Sequence, residues 1–369
     1  MSKVCEECQE IISNTSTQTS NQIYCTARCR KRNHRRRTRS TAISVRFKQR
    51  EGNLLLNDEM RYVIAQCRYA GTVQILSGHD RKSYAKTMTL IRERPSGHVQ
   101  LCHIAPVKGY NFIGLLHHKN LFYGGDHQNN KFRNKYGGGG VYVFHSELKD
   151  KWTVCHDNSG KEILALIKKF LGRILDNYIK TCPIRKSKRY QLAKKISDVH
   201  GNITIEELLN FKHNELCELW TKITRQRIYK SSKGNESKFL AYIDSLTRFI
   251  KDKHENTETL KRLRRIMIIS YMALERVEAS ETYNRDFYIK YERLIQEKYS
   301  QAMLKNPNEW SVFKDLVYKA AFETLQGIVI KTSIFRKEVM SHLHFPPKAW
   351  RVMASPWQYK MIYQQTING

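Results

Sequence analysis

Acidic residues are scarce in this sequence. Its 369 residues hold 34 Asp and Glu against 65 Lys and Arg, a formal net charge of +31. An excess of that size repels itself in a compact chain, so a polyanionic partner is expected, nucleic acid first and an anionic membrane surface second. Long apolar runs are also lacking. None approaches the roughly 18 residues a spanning helix needs, and no apolar stretch follows the opening MSKVCEECQE as a secretory signal requires. A soluble, intracellular (cytoplasmic) protein is expected. Proline is sparse: only Pro183 and Pro307 interrupt the second half before Pro346, which leaves long stretches open to helix. Cysteine is not dense enough for a secreted disulfide scaffold, since Cys67, Cys102, Cys155, Cys182 and Cys217 are scattered singly. These five read as small buried residues or inert thiols.

The remaining four cysteines are grouped. Residues 1–40 hold little that is apolar beyond Val4, Ile11, Ile12, Ile23 and Tyr24, too little for a core without a staple. Cys5-x2-Cys8 and Cys25-x3-Cys29 are two chelating pairs separated by 16 residues. Two such turns close a tetrahedron of thiolates, the geometry of structural Zn2+. The ion supplies on the order of 10 kcal/mol of folding energy. The alternative is four unrelated cysteines in a disordered tail. The segment YCTARCRKRNHRRR looks like the end of a small zinc knuckle whose last cysteine pair opens a basic helix. From Arg28 to Arg50 there are eleven Lys or Arg and no acid. Such a helix offers Arg30, Lys31, Arg35, Arg36, Arg37 and Arg39 to phosphates; the plain alternative is a solvated arm. Neutralising six phosphates on duplex DNA gives a log–log salt slope of about −5.

Further along, Leu56, Met60, Val63, Ile64 and Cys67 recur at helical spacing, with Asn57 to cap and Gly71 to stop a helix over 58–70. TVQIL reads as a short strand and KSYAKTMTLIRER as a helix. After Gly160 the apolar period is helical throughout. KEILALIKKFLGRILDNYIK puts Ile163, Leu166, Ile167, Phe170, Ile174 and Tyr178 on one face, and Thr204 with Glu207 forms a capping box. KSSKGNESK reads as a polar linker, and the aromatic-rich HFPPKAWRVMASPWQYKMIY as a segment docked on the helical core. The fold class expected is α+β, mostly α. Its parts are a four-cysteine knuckle with basic arm (1–40), a small mixed domain (41–150) and an all-helical domain (151–369).

The mixed domain contains VQLCHIAPVKGYNFIGLLHHKNLFYGGDHQNNKF. HVQLCHI alternates as a strand and Pro106 closes it. FIGLLHH reads as a second strand, Gly124 and Gly125 break the chain, and Asp126 can cap a helix over HQNNKFRNKY that places Asn129 in its first turn. His117 and His118 read as strand-end surface residues. Gly137–Gly140 lack a following GK[ST] and read as a helix stop and connector rather than a phosphate cradle. A lone histidine after a strand is more often a satisfied core group than a base. HIAP…KNL…DHQNNK, however, resembles the HNH endonuclease family and its ββα-metal (His-Me finger) core over about 35 residues, with nine residues from Asn120 to Asn129.

The resemblance implies roles. His103 is the general base, Asn120 holds the loop and the histidine in place, and Asn129 ligates a catalytic divalent ion, Mg2+ or a relative. The chemistry is suitable: a neutral imidazole takes a proton near pH 7, and Mg2+ needs few protein ligands. Two departures are visible, and the first is that the cysteine pairs frequent around the family's core are absent here. The family commonly places an acidic metal ligand just before the first histidine, where this chain has Cys102; Asp126, His127 or Asn130 are the nearby groups that could compensate. The expected function is metal-dependent hydrolysis of DNA phosphodiesters, of phage or mobile-element type, with double-stranded DNA as partner. The alternative is a non-catalytic, zinc-dependent nucleic-acid-binding protein with a degenerate HNH fold.

Overall fold

The structure is a computed structural model that describes residues 3–12, 22–95, 97–226, 238–252, 256–275, 285–294, 296, 299 and 301–346. Most of the expected polar linker, the aromatic segment from residue 347 on, and the middle of the loop between the cysteine pairs lie outside the described residues.

Helices α1 (Ala27–Gly52), α2 (Asp58–Ala70) and α3 (Arg81–Arg92) precede strands β1 (Val99–His103), β2 (Phe112–Gly114) and β3 (Leu121–Gly125). Helix α4 (Asp126–Phe132) and β4 (Tyr142–Phe144) follow. Then come α5 (Gly160–Leu171), α6 (Arg173–Thr181), α7 (Lys188–His200), α8 (Ile205–Leu208), α9 (His213–Thr224), α10 (Lys238–Lys251), α11 (Thr257–Glu275) and α12 (Arg285–Tyr291). The order ends with β5 (Met303–Leu304), α13 (Trp310–Leu325), α14 (Thr332–Ser341) and β6 (Leu343–His344). The chain is thus mostly helical, with three antiparallel pairs, β1–β3, β2–β4 and β5–β6. None of the described helices is long and apolar enough to cross a membrane.

Two compact units form, and they are not consecutive in sequence. One comprises residues 1–61 and 175–228, the other 62–174 and 229–369. Of the three segments expected, 41–150 and 151–369 are therefore each shared between units. In the first unit α7 packs on α8 and α9 through Leu192, Ala193, Ile196, Leu208, Leu216 and Cys217. The capping box of Thr204 and Glu207 forms, opening α8. Arg50, in the last turn of α1, donates to the carbonyls of Ile179 and Lys180 at 3.0 and 2.7 Å. Those carbonyls end α6 and have no helical partner of their own.

The second unit is built on α10, α11 and α13, whose apolar faces meet over Tyr242, Leu246, Leu263, Met267, Phe313 and Phe322. Cys102, Ile104 and Phe122 join the same core, which seats the β1–β3 pair on it. Four local expectations are corrected here. TVQIL is not a strand: Val73–Leu76 is a buried 3-10 turn, because the Thr72 hydroxyl caps it by accepting from the Gln74 amide. Only Phe112–Gly114 of FIGLLHH is strand, and it pairs with β4 rather than β1. KEILALIKKFLGRILDNYIK breaks at Gly172, whose φ of +48° lies in the region glycine tolerates. The last third is not all-helical, since β5 pairs with β6.

Candidate functional site

The knuckle forms at the N-terminus of the first unit. Val4 bridges Ile11, the Cys5 amide donates to Glu10 O at 2.9 Å, and Gln9 turns the chain with φ of +61°. Thr26 caps α1 by accepting from the Cys29 amide, so Cys25 and Cys29 both face the turn. The sulfurs of Cys5, Cys8, Cys25 and Cys29 lie within 4.8 Å of one another. Zn–S bonds near 2.3 Å in a tetrahedron put sulfurs about 3.8 Å apart, and Cys8–Cys25 and Cys25–Cys29 stand at 3.4 and 3.5 Å. None of the four is in a disulfide. Burial raises the Cys5 thiol, but the amides of Cys25, Cys8 and Glu7 and the Cys8 side chain outweigh it and bring it down to about 6. The Glu10 amide lowers Cys8, yet the crowded sulfurs of Cys25, Cys5 and Cys29, with burial, push it up to about 12. Four thiols so close repel as thiolates unless a cation sits among them. The donor set therefore fits a metal ion such as zinc.

The knuckle also sorts the basic helix. Glu7 pairs with Arg36 at 3.4 Å and Glu6 with Arg37 at 3.3 Å, and Asn33 donates to Glu7. Of the residues expected to meet phosphate, Arg36 and Arg37 thus lean on the knuckle. Arg28, Lys31, Arg35 and Arg39 recur at helical spacing on the face opposite buried Cys29 and Asn33. They are exposed, as is Arg30 beside them.

In the second unit, β1 and β3 pair from Val99–Gly125 to His103–Leu121, and α4 starts at once after β3. The outer edge of β3 is filled by side chains of α10. Ser245 accepts from the Tyr123 amide at 2.9 Å, and Tyr242 accepts from the Gly125 amide at 2.8 Å. Arg248 donates to the carbonyls of His118 and Leu121. A strand edge left bare would carry unpaired backbone groups; here a helix supplies their partners. Burial lowers Arg248 to about 10, so it stays charged at neutral pH.

Asn120 sits in the 3-10 turn before β3, fully buried. Its Nδ2 donates to the carbonyls of Ala105 and Leu115 at 3.1 and 2.9 Å. Its Oδ1 accepts from the amides of Ala105 and Val141 at 2.8 and 3.3 Å. All its hydrogen-bonding capacity is used, and it ties the backbone two residues past His103 to both the β2–β3 loop and the chain entering β4. Glycines make the room: a Cβ at Gly140, with φ of +75°, would strike Asn120 Oδ1, and one at Gly114 would strike the Ala105 carbonyl.

His103 ends β1, half-buried, with its carbonyl accepting from Gln326 Nε2 at 3.0 Å. Its own Nε2 is sealed and without a partner, and burial pulls the ring down to about 4, so it is neutral at physiological pH. Strand alternation places Gln100 and Cys102 on the other face of β1. Asn129 is on that face: its Nδ2 donates to Gln100 Oε1 at 2.8 Å. His103 and Asn129 are therefore not joined to each other. Cys102 is buried beside Gly124, and burial pushes its thiol well above the ordinary range. Gly125, not Asp126, is the N-cap of α4, and α4 stops at Phe132 rather than running to Gly137. The Asp126 carboxylate is occupied by His98 at 2.8 Å and Lys238 at 3.0 Å. Burial raises it, and His98, Lys238 and the His127 amide outweigh that to bring it down to about 2. Among the described residues only the four cysteines form a cluster of three or more His, Cys, Asp or Glu ligands.

His117 and His118 are not surface residues: they are 7% and 5% exposed. His117 stacks between His79 and His118. His79 Nε2 donates to Leu116 O at 2.9 Å and its Nδ1 meets Ser83 Oγ, so the three rings latch the β2–β3 loop to α3. Burial first, then mutual repulsion for His117, lowers all three, to about 4, 3 and 4 for His79, His117 and His118. The unfolded chain takes up their protons from about pH 6.5 downward, and the folded chain resists to about pH 4. Stability is then fully present above pH 6.5 and falls as acid is added, by at most about 1.4 kcal/mol per pH unit for each ring. Thermal melts between pH 7.5 and 5 check this: Tm should drop with acid, and His117→Asn should flatten the drop.

Compared with family models, curated proteins and solved structures, the chain matches none.

Sequence reading missed Arg248, Ser245, Tyr242, Gly114 and Gly140 as positioning residues. Only the glycine run around Gly140 carried a local signal.

Proposed function

We propose that the protein is a metal-dependent DNA endonuclease of HNH type, gripping DNA through the four-cysteine knuckle and α1. The observation that carries this reading is the buried Asn120 carboxamide. It fixes the turn after His103 in a strand–loop–strand–helix order, the holding role that the HNH resemblance implies.

His103 is neutral, and its Nε2 has no partner. That nitrogen is sealed, so the step requires a local opening, after which a water beside it would pass its proton to Nε2. An arriving phosphodiester is an anion and favours the protonated ring, which raises its basicity toward the working pH. Gln326 holds the His103 main chain while Asn120 holds the turn, so the ring is positioned before substrate arrives. Asn129 Oδ1 is the neutral carboxamide oxygen left for an ion, since Gln100 Oε1 already accepts from Asn129 Nδ2 and Asp126 is occupied, and it lies on the face of β1 opposite His103, which counts against one phosphate meeting both. Such a donor suits a hydrated ion whose negative ligands come from the substrate phosphate, not a tightly held resident ion. A divalent ion held by Asn129 would supply charge neutralisation for a phosphate reaching that face.

A second reading has its own observation. Cys102, where the family carries an acid, is a buried neutral thiol, which favours a non-catalytic nucleic-acid-binding protein. Plasmid DNA with Mg2+ or Mn2+ separates the two. Nicking by the wild type should fall about 100-fold or more in His103→Ala, the usual scale for losing a general base, and Asn129→Ala should need more metal. DNA binding without nicking by the wild type would leave the binder as the function.

A further inference from the structure

A pocket of about 580 Å³ opens in the second unit. One wall is a face of α11 carrying Arg262 and Arg265 above Ile266 and Ile269. The facing wall is the start of α14, where Thr332 and Ser333 present hydroxyls and Arg336 follows one turn later. Arg293, Leu294 and Tyr299 line the third side. Four exposed arginines line the space, and among the described residues no carboxylate does. Among the described residues none of the four is ion-paired. Glu258, paired with Lys261, also feels Arg262 and Arg265, and the surplus of positive charge on one pocket favours an anion there. Arg336 is already oriented, donating to Tyr299 Oη at 2.9 Å with its guanidinium over that ring. No side chain caps α14, so its positive end also faces the pocket.

We propose that this pocket binds the phosphate of a nucleotide unit. The arginine fork geometry matches phosphate oxygens bidentately. The volume lies within the roughly 300–1,000 Å³ of small-ligand sites and exceeds what a bare phosphate fills. The floor of Ile266, Ile269, Leu294 and Met340, with Tyr299 at the rim, accepts the sugar and base attached to it. Two sources carry this chemistry, the phosphorylated end of a nucleic-acid strand and a free nucleotide. The site is separate from His103 and does not depend on hydrolysis.

The test is a fluorescence-anisotropy titration in EDTA, where no cleavage intervenes. A short single-stranded oligonucleotide is compared with and without a 5′-phosphate, and ADP is added as competitor. The double variant Arg265→Ser/Arg293→Ser is set against a charge-matched control, Lys194→Ser/Lys195→Ser, on exposed positions of α7. The 5′-phosphate should tighten binding by about tenfold, the scale of charge-assisted hydrogen bonds. That gain should vanish in the pocket variant and persist in the control. If ADP binds the wild type and not the pocket variant while the two oligonucleotides bind alike, the pocket serves a free nucleotide and the phosphate assignment stands. Equal binding of every ligand by pocket and control variants overturns it. Circular dichroism and Tm of each variant establish that it is folded.

Discussion

Asn120→Ala is expected to cost about 4 kcal/mol or more, enough to unfold a domain of ordinary stability at elevated temperature. The substitution removes one buried carboxamide and strands four backbone groups: the amide and carbonyl of Ala105, the carbonyl of Leu115 and the amide of Val141. Each buried group left unpaired costs about 1–3 kcal/mol. Water cannot easily replace the side chain, because Gly114 and Gly140 press the neighbouring backbone against it. Asn120→Asp keeps the acceptor but loses both donations and buries a carboxylate, so it should be no better. Gly140→Ala attacks the same contact from the other side and should destabilise comparably, since its φ of +75° and the approach to Asn120 both exclude a Cβ. Urea and thermal denaturation of the three variants check this. A Tm within two or three degrees of wild type for Asn120→Ala would mean that the carboxamide is not what holds the turn. Loss of nicking in a folded Asn120 variant, if nicking is observed at all, would separate positioning from stability.

Why Asn120 was legible and much around it was not follows from the range of the interactions. The order strand, loop, strand, helix and the nine-residue spacing to Asn129 are local, and they were visible. The second strand was misplaced because FIGLLHH and LFYGG are both short apolar runs, which periodicity cannot rank. The groups that cover the far edge of β3, Tyr242, Ser245 and Arg248, come from a helix more than 100 residues later, which no local pattern reveals. His117 and His118 have no place in the motif and read as strand-end surface residues, yet three neutral rings stacked together bury well. The cysteine pairs were legible because chelation fixes spacing. The fate of Arg36 and Arg37 was not: it depends on the helical phase at which α1 leaves Cys29 relative to Glu6 and Glu7. The arginines of the pocket, spread from Arg262 to Arg336, have no common sequence signal.

Cys5→Ser is expected to release one equivalent of zinc and to melt much of α1. That helix has 26 residues, and only Cys29 and Asn33 are buried. A helix this polar lacks the apolar stripe that stabilises helices in proteins, and its arginines repel one another along its length. Its first turns stand on the knuckle: Cys25 and Cys29 in the four-sulfur cluster that fits a metal ion, Thr26 as cap, Glu6 and Glu7 on Arg37 and Arg36. Ligation of a structural zinc contributes on the order of 10 kcal/mol, far more than ion pairs whose arginines stay in solvent. Removing one thiolate should therefore lower the zinc content from one per chain to none after dialysis against a weak chelator and reduce helical ellipticity. The far end of α1, anchored by Arg50 on α6, should keep its structure. Acid should act in the same direction as the mutation, since protons displace the metal from thiolates. Duplex DNA affinity should fall, with a shallower salt slope as Arg28, Lys31, Arg35 and Arg39 lose their common face. A serine variant that still carries one zinc, with unchanged ellipticity, would show that the metal is held elsewhere and that α1 owes its order to something other than the four sulfurs.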